Sequence, residues 1–155
     1  MILGRMTSDR LQDSGLAREI EFLNARARSI GSALANELLQ AHGLRVRSYS
    51  VLALACGGLR PTQRQLAEFL RLDPSQIVAL VDELEAAGLV RREPDPSDRR
   101  SKVIVATESG ESTYAQARIE TARAEDAALA ALTPAERTVL RELMTKIAFT
   151  PLGED

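Results

Sequence analysis

The chain has 155 residues, room for one ordinary domain or for a small domain flanked by helices that draw stability from a partner. Its hydrophobic fraction is 45%, but only 3% is aromatic and there is no Trp, so a core must be built from Leu, Val, Ile and Ala, a composition that favours helices. A net charge of −2 argues against a protein that coats nucleic acid indiscriminately, and one Cys with one His excludes both an intramolecular disulfide and a Cys/His metal site within one chain.

In chain order, apolar residues recur at three-and-four spacing from Leu16 through Ile20, Leu23, Ala27, Ile30, Leu34 and Leu38, predicting a long amphipathic helix from about Asp9 to Ala41 that closes at Gly43. A second helix is expected from Arg45 to Cys56, stopped by Gly57-Gly58. Thr62 and Gln65 then have the spacing of a capping box opening a helix of two to three turns. The same grammar repeats after Arg71-Leu72, with Asp73 as the cap, Pro74 at the first helical position and Gln76 at the third, and this helix runs to Ala87 and stops at Gly88. Two helices joined by so short a connection have the spacing of a helix-turn-helix.

The period then changes. Leu89–Arg92 and Lys102–Val105 read as short strands around the turn-rich segment Glu93–Arg100, a β-hairpin or wing. A further helix is expected from Thr107 to about Ala131, and Thr133-Pro134-Ala135-Glu136 opens a last one to about Ala148, with a frayed end from Thr150. The fold class that results is mostly α with a small β-hairpin: a winged helix-turn-helix over residues 44–106, flanked by dimerisation helices over 9–43 and 107–148. The flanking helices cannot all bury their apolar stripes against a lobe of about sixty residues, so a second copy is the simplest sink; a monomeric bundle is the alternative.

In a helix-turn-helix the second helix is the one that fits the major groove. Ile77, Leu80, Val81 and Leu84 form its buried stripe, which leaves Ser75, Gln76, Val78 and Ala79 to face base edges, unless Ser75 and Gln76 are only first-turn capping residues. Thr62 and Gln63, at the start of the preceding helix, join the candidates for DNA contact. Residues 45–102 hold ten basic and eight acidic residues against ten and fourteen in the remainder, a mildly basic middle on acidic flanks. Arg91, Arg92, Arg99, Arg100 and Lys102 crowd onto the hairpin, where a protruding arginine suits a minor groove or phosphates. Asp98 is expected to pair with Arg100 and shape the tip, which leaves Arg99 the freer cation.

Leu72-Asp73-Pro74-Ser75, the run Leu80–Arg92, Asp95-Pro96-Ser97-Asp98-Arg99-Arg100-Ser101-Lys102 and Thr107-Glu108-Ser109-Gly110 together resemble the MarR family of bacterial regulators. That resemblance implies a triangular homodimer in which the N-terminal helix and the last two helices interlock, each protomer offering one winged helix to half of a pseudo-palindromic double-stranded operator. It also implies repression that is relieved when a small aromatic or other effector enters a cleft between the dimer helices and the winged helix. Family recognition helices often carry an arginine where this chain has Ala79 and another where it has Glu83, which shifts the expected readout toward Ser75, Gln76, Val78 and the wing.

Other readings are weaker. No glycine-rich phosphate loop, metal-ligand spacing or nucleophile–base set is visible, so neither an enzyme nor a cofactor is expected. Cys56 reads as a buried structural thiol, His42 as a helix-end residue, and Tyr49 and Arg18 as effector-cleft residues or equally as core and surface positions. A winged helix used for protein contacts is the main functional alternative, because Asp82, Glu83 and Glu85 make the recognition helix acidic. No run of about 18 apolar residues and no apolar leader in MILGRMTSDRLQDSG is present, which points to the cytoplasm and away from a membrane.

Overall fold

A computed structural model of the chain describes residues 10–98 and 100–151. Asp9, Arg99 and most of the closing segment, residues 152–155, therefore lie outside the described residues. Among the described residues, six α-helices and one antiparallel hairpin follow in the expected order: α1 Ile20–Leu39, α2 Val46–Cys56, α3 Gln63–Leu70, α4 Pro74–Ala86, β1 Val90–Pro94, β2 Lys102–Ala106, α5 Glu108–Ala128 and α6 Pro134–Phe149.

The first helix is shorter than its apolar periodicity predicts. Ser14 donates its hydroxyl to the Leu11 carbonyl, a separate 3-10 turn covers Leu16–Arg18, and Glu19 is extended, so α1 begins only at Ile20. Local turn chemistry at Asp13-Ser14-Gly15 overrides the three-and-four pattern there. At its other end α1 passes through the 3-10 turn Gln40–His42 and closes at Gly43, which takes the left-handed conformation.

Helix starts follow their caps. Thr62 accepts from the Gln65 amide while the Gln65 side chain accepts from the Thr62 amide, and Thr133 with Glu136 repeats the arrangement. Asp73 departs from expectation: its side chain makes no capping bond, and its carbonyl instead accepts from the Gln76 and Ile77 amides. Gly88, at φ +73°, closes α4 and lets the Leu89 amide reach the Leu84 carbonyl at 2.9 Å.

The core sits inside the middle of the chain. Leu44, Val51, Leu52, Leu66, Ile77, Val81, Leu84, Val90 and Ile104 are fully buried in one cluster that α1 joins through Leu39 and α5 through Ala117. Asn36 of α1 accepts from the Val46 amide at 2.9 Å, fixing the first turn of α2. Gly110 is the closest approach: a Cβ there would stand 2.0 Å from the Leu89 carbonyl oxygen, so only glycine lets α5 start against the entry to β1. Among the described helices none is long and apolar enough to cross a membrane.

Candidate nucleic-acid interface

Helix α4 divides as its periodicity requires. Ile77, Val81 and Leu84 point into the core and Leu80 is half-buried, whereas Ser75, Gln76, Val78 and Ala79 are exposed on the first two turns. The sequence candidates on this helix therefore share one free surface, and none of them is packed inside the lobe.

The wing is placed by a register that pairs Val90 with Ala106, Arg92 with Ile104 and Pro94 with Lys102. A third element touches it: Thr62 bridges Val103, and the Ile104 amide donates to the Pro61 carbonyl at 2.8 Å, so the hairpin is tied to the start of α3. At the tip, Asp95 accepts from both the amide and the hydroxyl of Ser97, at 2.8 and 2.7 Å, and those bonds lower its pKa. Asp98 shapes the turn by accepting from the Arg100 backbone amide at 3.0 Å; the expected side-chain ion pair with Arg100 is not formed. Arg100 and Lys102 are exposed and hold no ion pair among the described residues.

Not every wing cation is free. Arg92 is half-buried and bonds Asp82 at 2.5 Å, Glu85 of α4, and the Gln63 side-chain oxygen at 3.0 Å. Partial burial works against its charge, but the two carboxylates outweigh that and raise its pKa. Arg92 is thus a clasp between the hairpin, α4 and α3, and it occupies the Gln63 side-chain oxygen in doing so. Arg91 leans on Glu93 at 2.7 Å, Arg60 reaches the same carboxylate at 2.6 Å, and the two hydrogen bonds lower the Glu93 pKa. The Thr62 hydroxyl is committed to its capping box.

The clasp was not separable from the other arginines in the sequence. Its signal was the acidity of α4: Asp82 and Glu85 stand three apart on one edge of the helix, seven to ten residues before an arginine on an adjoining strand.

The other candidates settle into structure. Tyr49 stacks at 5.7 Å on Tyr114 and accepts from the Thr121 hydroxyl, joining α2 to α5, while Arg18 is exposed at the end of the 3-10 turn. His42 ends the turn before Gly43. Cys56 is half-buried, and its thiol is pushed up to about 12 by burial and then by Glu111, which favours the protonated form at neutral pH.

A helix-turn-helix followed by an anchored hairpin, with a polar first turn exposed on its second helix, defines the winged helix-turn-helix class. Comparison with known proteins agrees. A sequence profile of the MarR family matches residues 42–101. A MarR-family transcriptional regulator from Rhodococcus sp. RHA1 is 40% identical, with a TM-score of 0.80 over 88% of this chain and 98% of that one. CouR from Rhodococcus jostii RHA1, crystallised with p-coumaroyl-CoA, is 38% identical, with a TM-score of 0.81 over 92% of this chain and all of that one. An uncharacterized HTH-type transcriptional regulator of Bacillus subtilis, YcgE, is 36% identical over 84 residues. The chain spans a little over half the length of the curated relatives it matches, from 54% to 60%. The chain belongs to the MarR family of transcriptional regulators.

Proposed function

We propose that the chain is a cytoplasmic, homodimeric repressor that binds a pseudo-palindromic double-stranded operator, with residues 44–106 reading DNA and residues 9–43 and 107–148 carrying the pair. The recognition surface is Ser75, Gln76, Val78 and Ala79 in the major groove, with Arg91, Arg99, Arg100 and Lys102 of the wing on the adjoining backbone and Thr62 and Gln63 at the edge of the contact. Ser75 and Gln76 can donate to phosphates or base edges, and Val78 and Ala79 suit a thymine methyl.

One observation carries this reading. The acidity of α4, the strongest argument for a protein partner, lies on its later turns and is partly compensated there: Asp82 and Glu85 share the guanidinium of Arg92, while the exposed first two turns present the uncharged Ser75, Gln76, Val78 and Ala79.

Pairing is supported by the surface of the flanking helices. Helix α6 buries no residue and exposes Val139, Leu143, Met144, Ile147 and Phe149, and α1 exposes Ile20, Leu23 and Ile30. Release by a small organic effector is the third part of the proposal. CouR, the relative crystallised with p-coumaroyl-CoA, supports it, and so does the open groove of about 500 Å³ beside Tyr114, Arg118 and Ile119 on α5.

The test is binding to the DNA upstream of the chain's own gene at two salt concentrations. Phosphate-driven binding weakens steeply with salt, whereas flat or absent binding favours the protein-contact reading. Gln76→Ala is expected to narrow the gap between operator and random duplex, and Arg99→Ala to weaken both alike.

A further inference from the structure

We propose that the groove between α1 and the helix-turn-helix is a second phosphate seat, in which Arg28, Arg47 and Arg71 hold a backbone phosphate of the duplex beside Gln76. This inference rests on the DNA-binding reading above and adds a contact from outside the winged-helix lobe.

Three arginines from three different places in the sequence line one open groove of about 760 Å³. Arg28 comes from the middle of α1, Arg47 from the first turn of α2 and Arg71 from the turn between α3 and α4. Asp73 is the one carboxylate on the groove, so a surplus of positive charge remains. Seven other arginines of the chain are held in ion pairs within 4 Å, but none of these three is, among the described residues. Three guanidinium groups that share one carboxylate still repel one another, and a phosphodiester relieves that repulsion while offering oxygens that match the guanidinium fork.

Arg71 adds an independent sign. It closes α3 in the left-handed conformation, at φ 55° and ψ 45°, where glycine is the easier residue. A bulky side chain at such a position is understandable if its charge is used.

The position selects the occupant. Gln76 lines the groove and also belongs to the exposed first turn of α4, so a strand that passes Gln76 in the major groove carries its phosphates over the three arginines. The groove is an open trough with no buried anchor for a small free anion. Because Arg28 belongs to a helix assigned to the dimer scaffold, a phosphate held here would also fix the reading lobe against that scaffold.

The experiment measures the affinity of the full chain for operator and random duplexes across a salt series. Arg28→Ala should weaken both duplexes by about five- to tenfold and lower the slope of log affinity against log salt by about 1 per protomer. Arg28→Lys should restore most of the slope. Arg71→Gly should raise the unfolding temperature yet weaken binding, a combination that a merely structural residue would not give. A methylphosphonate placed singly along the operator should, at one position per half-site, weaken the wild type and leave Arg28→Ala unaffected. If Arg28→Ala binds with unchanged affinity and slope while the wild type binds normally, the seat is overturned and the DNA-binding reading stands. Inorganic phosphate that binds the free chain and competes with DNA beyond its ionic strength would assign the groove to a small anion and overturn the proposal. A wild type that binds no duplex at any salt overturns both readings together.

Discussion

The winged-helix lobe and the helices around it place their apolar residues in opposite ways. Within the lobe, α2, α3, α4 and the hairpin close on one another, and Val51, Leu52, Leu66, Ile77, Val81 and Ile104 are essentially sealed from water. Helix α6 has an equally apolar row, yet Ile147 is 69% and Phe149 67% exposed, and its links to α5 are the ion pairs Arg137–Asp126 and Arg141–Glu125. Within the protomer its Phe149 ring also lies 6.1 Å from that of Phe69 on α3, and exposed ion pairs stabilise little, so α6 gains far less from its own protomer than the lobe helices do. The lobe holds itself together; the last helix leaves most of its apolar row without a partner in its own protomer.

That contrast is sharpened most by a pair of truncations. Leu52→Ala empties a sealed site and should lower unfolding stability by about 2–5 kcal/mol, as read by urea titration. Leu143→Ala on α6 should change the unfolding of dilute, dissociated chain by less than about 0.5 kcal/mol while weakening self-association. Equal effects of the two would erase the distinction between the regions.

Gly110→Ala tests the joint between them. A methyl group 2.0 Å from the Leu89 carbonyl forces α5 away from the hairpin, for a loss of about 1–3 kcal/mol in thermal unfolding. The same substitution at half-buried Gly31, where an added Cβ would meet nothing within 4 Å, should be neutral or slightly stabilising.

A smaller effect is expected at the clasp. Arg92→Ala leaves Asp82 and Glu85 facing each other and frees the hairpin from α4, with a stability loss of about 1–2 kcal/mol. Because the wing is then misaligned and the face of α4 becomes acidic, operator affinity should fall by more than the stability change alone explains.

The prediction with the least bearing on the overall stability of the fold concerns pH. The Cys56 thiol is held neutral, with its pKa raised from 9.0 to about 12, so at pH 8 its alkylation by iodoacetamide should be slower than in unfolded chain by a factor on the order of a thousand. The raised value also means that any stability linked to this thiol is intact below about pH 9 and is lost as pH rises toward 12. Rapid labelling of folded chain at neutral pH would contradict the burial assigned to it.

Much of the fold was legible because its punctuation is local. Thr62 with Gln65, Thr133 with Glu136, and Gly88 each act through a few neighbouring residues, and each ends or opens a helix where its chemistry requires. The start of α1 was misread because periodicity extends through Leu16 while Ser14 and Gly15 break the backbone. The exposed face of α4 was legible too, since burial of Ile77, Val81 and Leu84 dictates what faces out. What escaped was the division of labour among arginines. Arg92 differs from Arg100 only in what folding brings to it, and Arg28, Arg47 and Arg71 meet across intervals of 19 and 24 residues that carry no local pattern.

The account depends on two winged helices acting together on one duplex. Sedimentation of the chain with a short promoter duplex measures this directly, through the mass of the complex at low and moderate salt. The expected result is two chains on each duplex, with a complex that dissociates as salt rises. One chain per duplex, or a free chain that stays monomeric at concentrations where DNA is saturated, would contradict it.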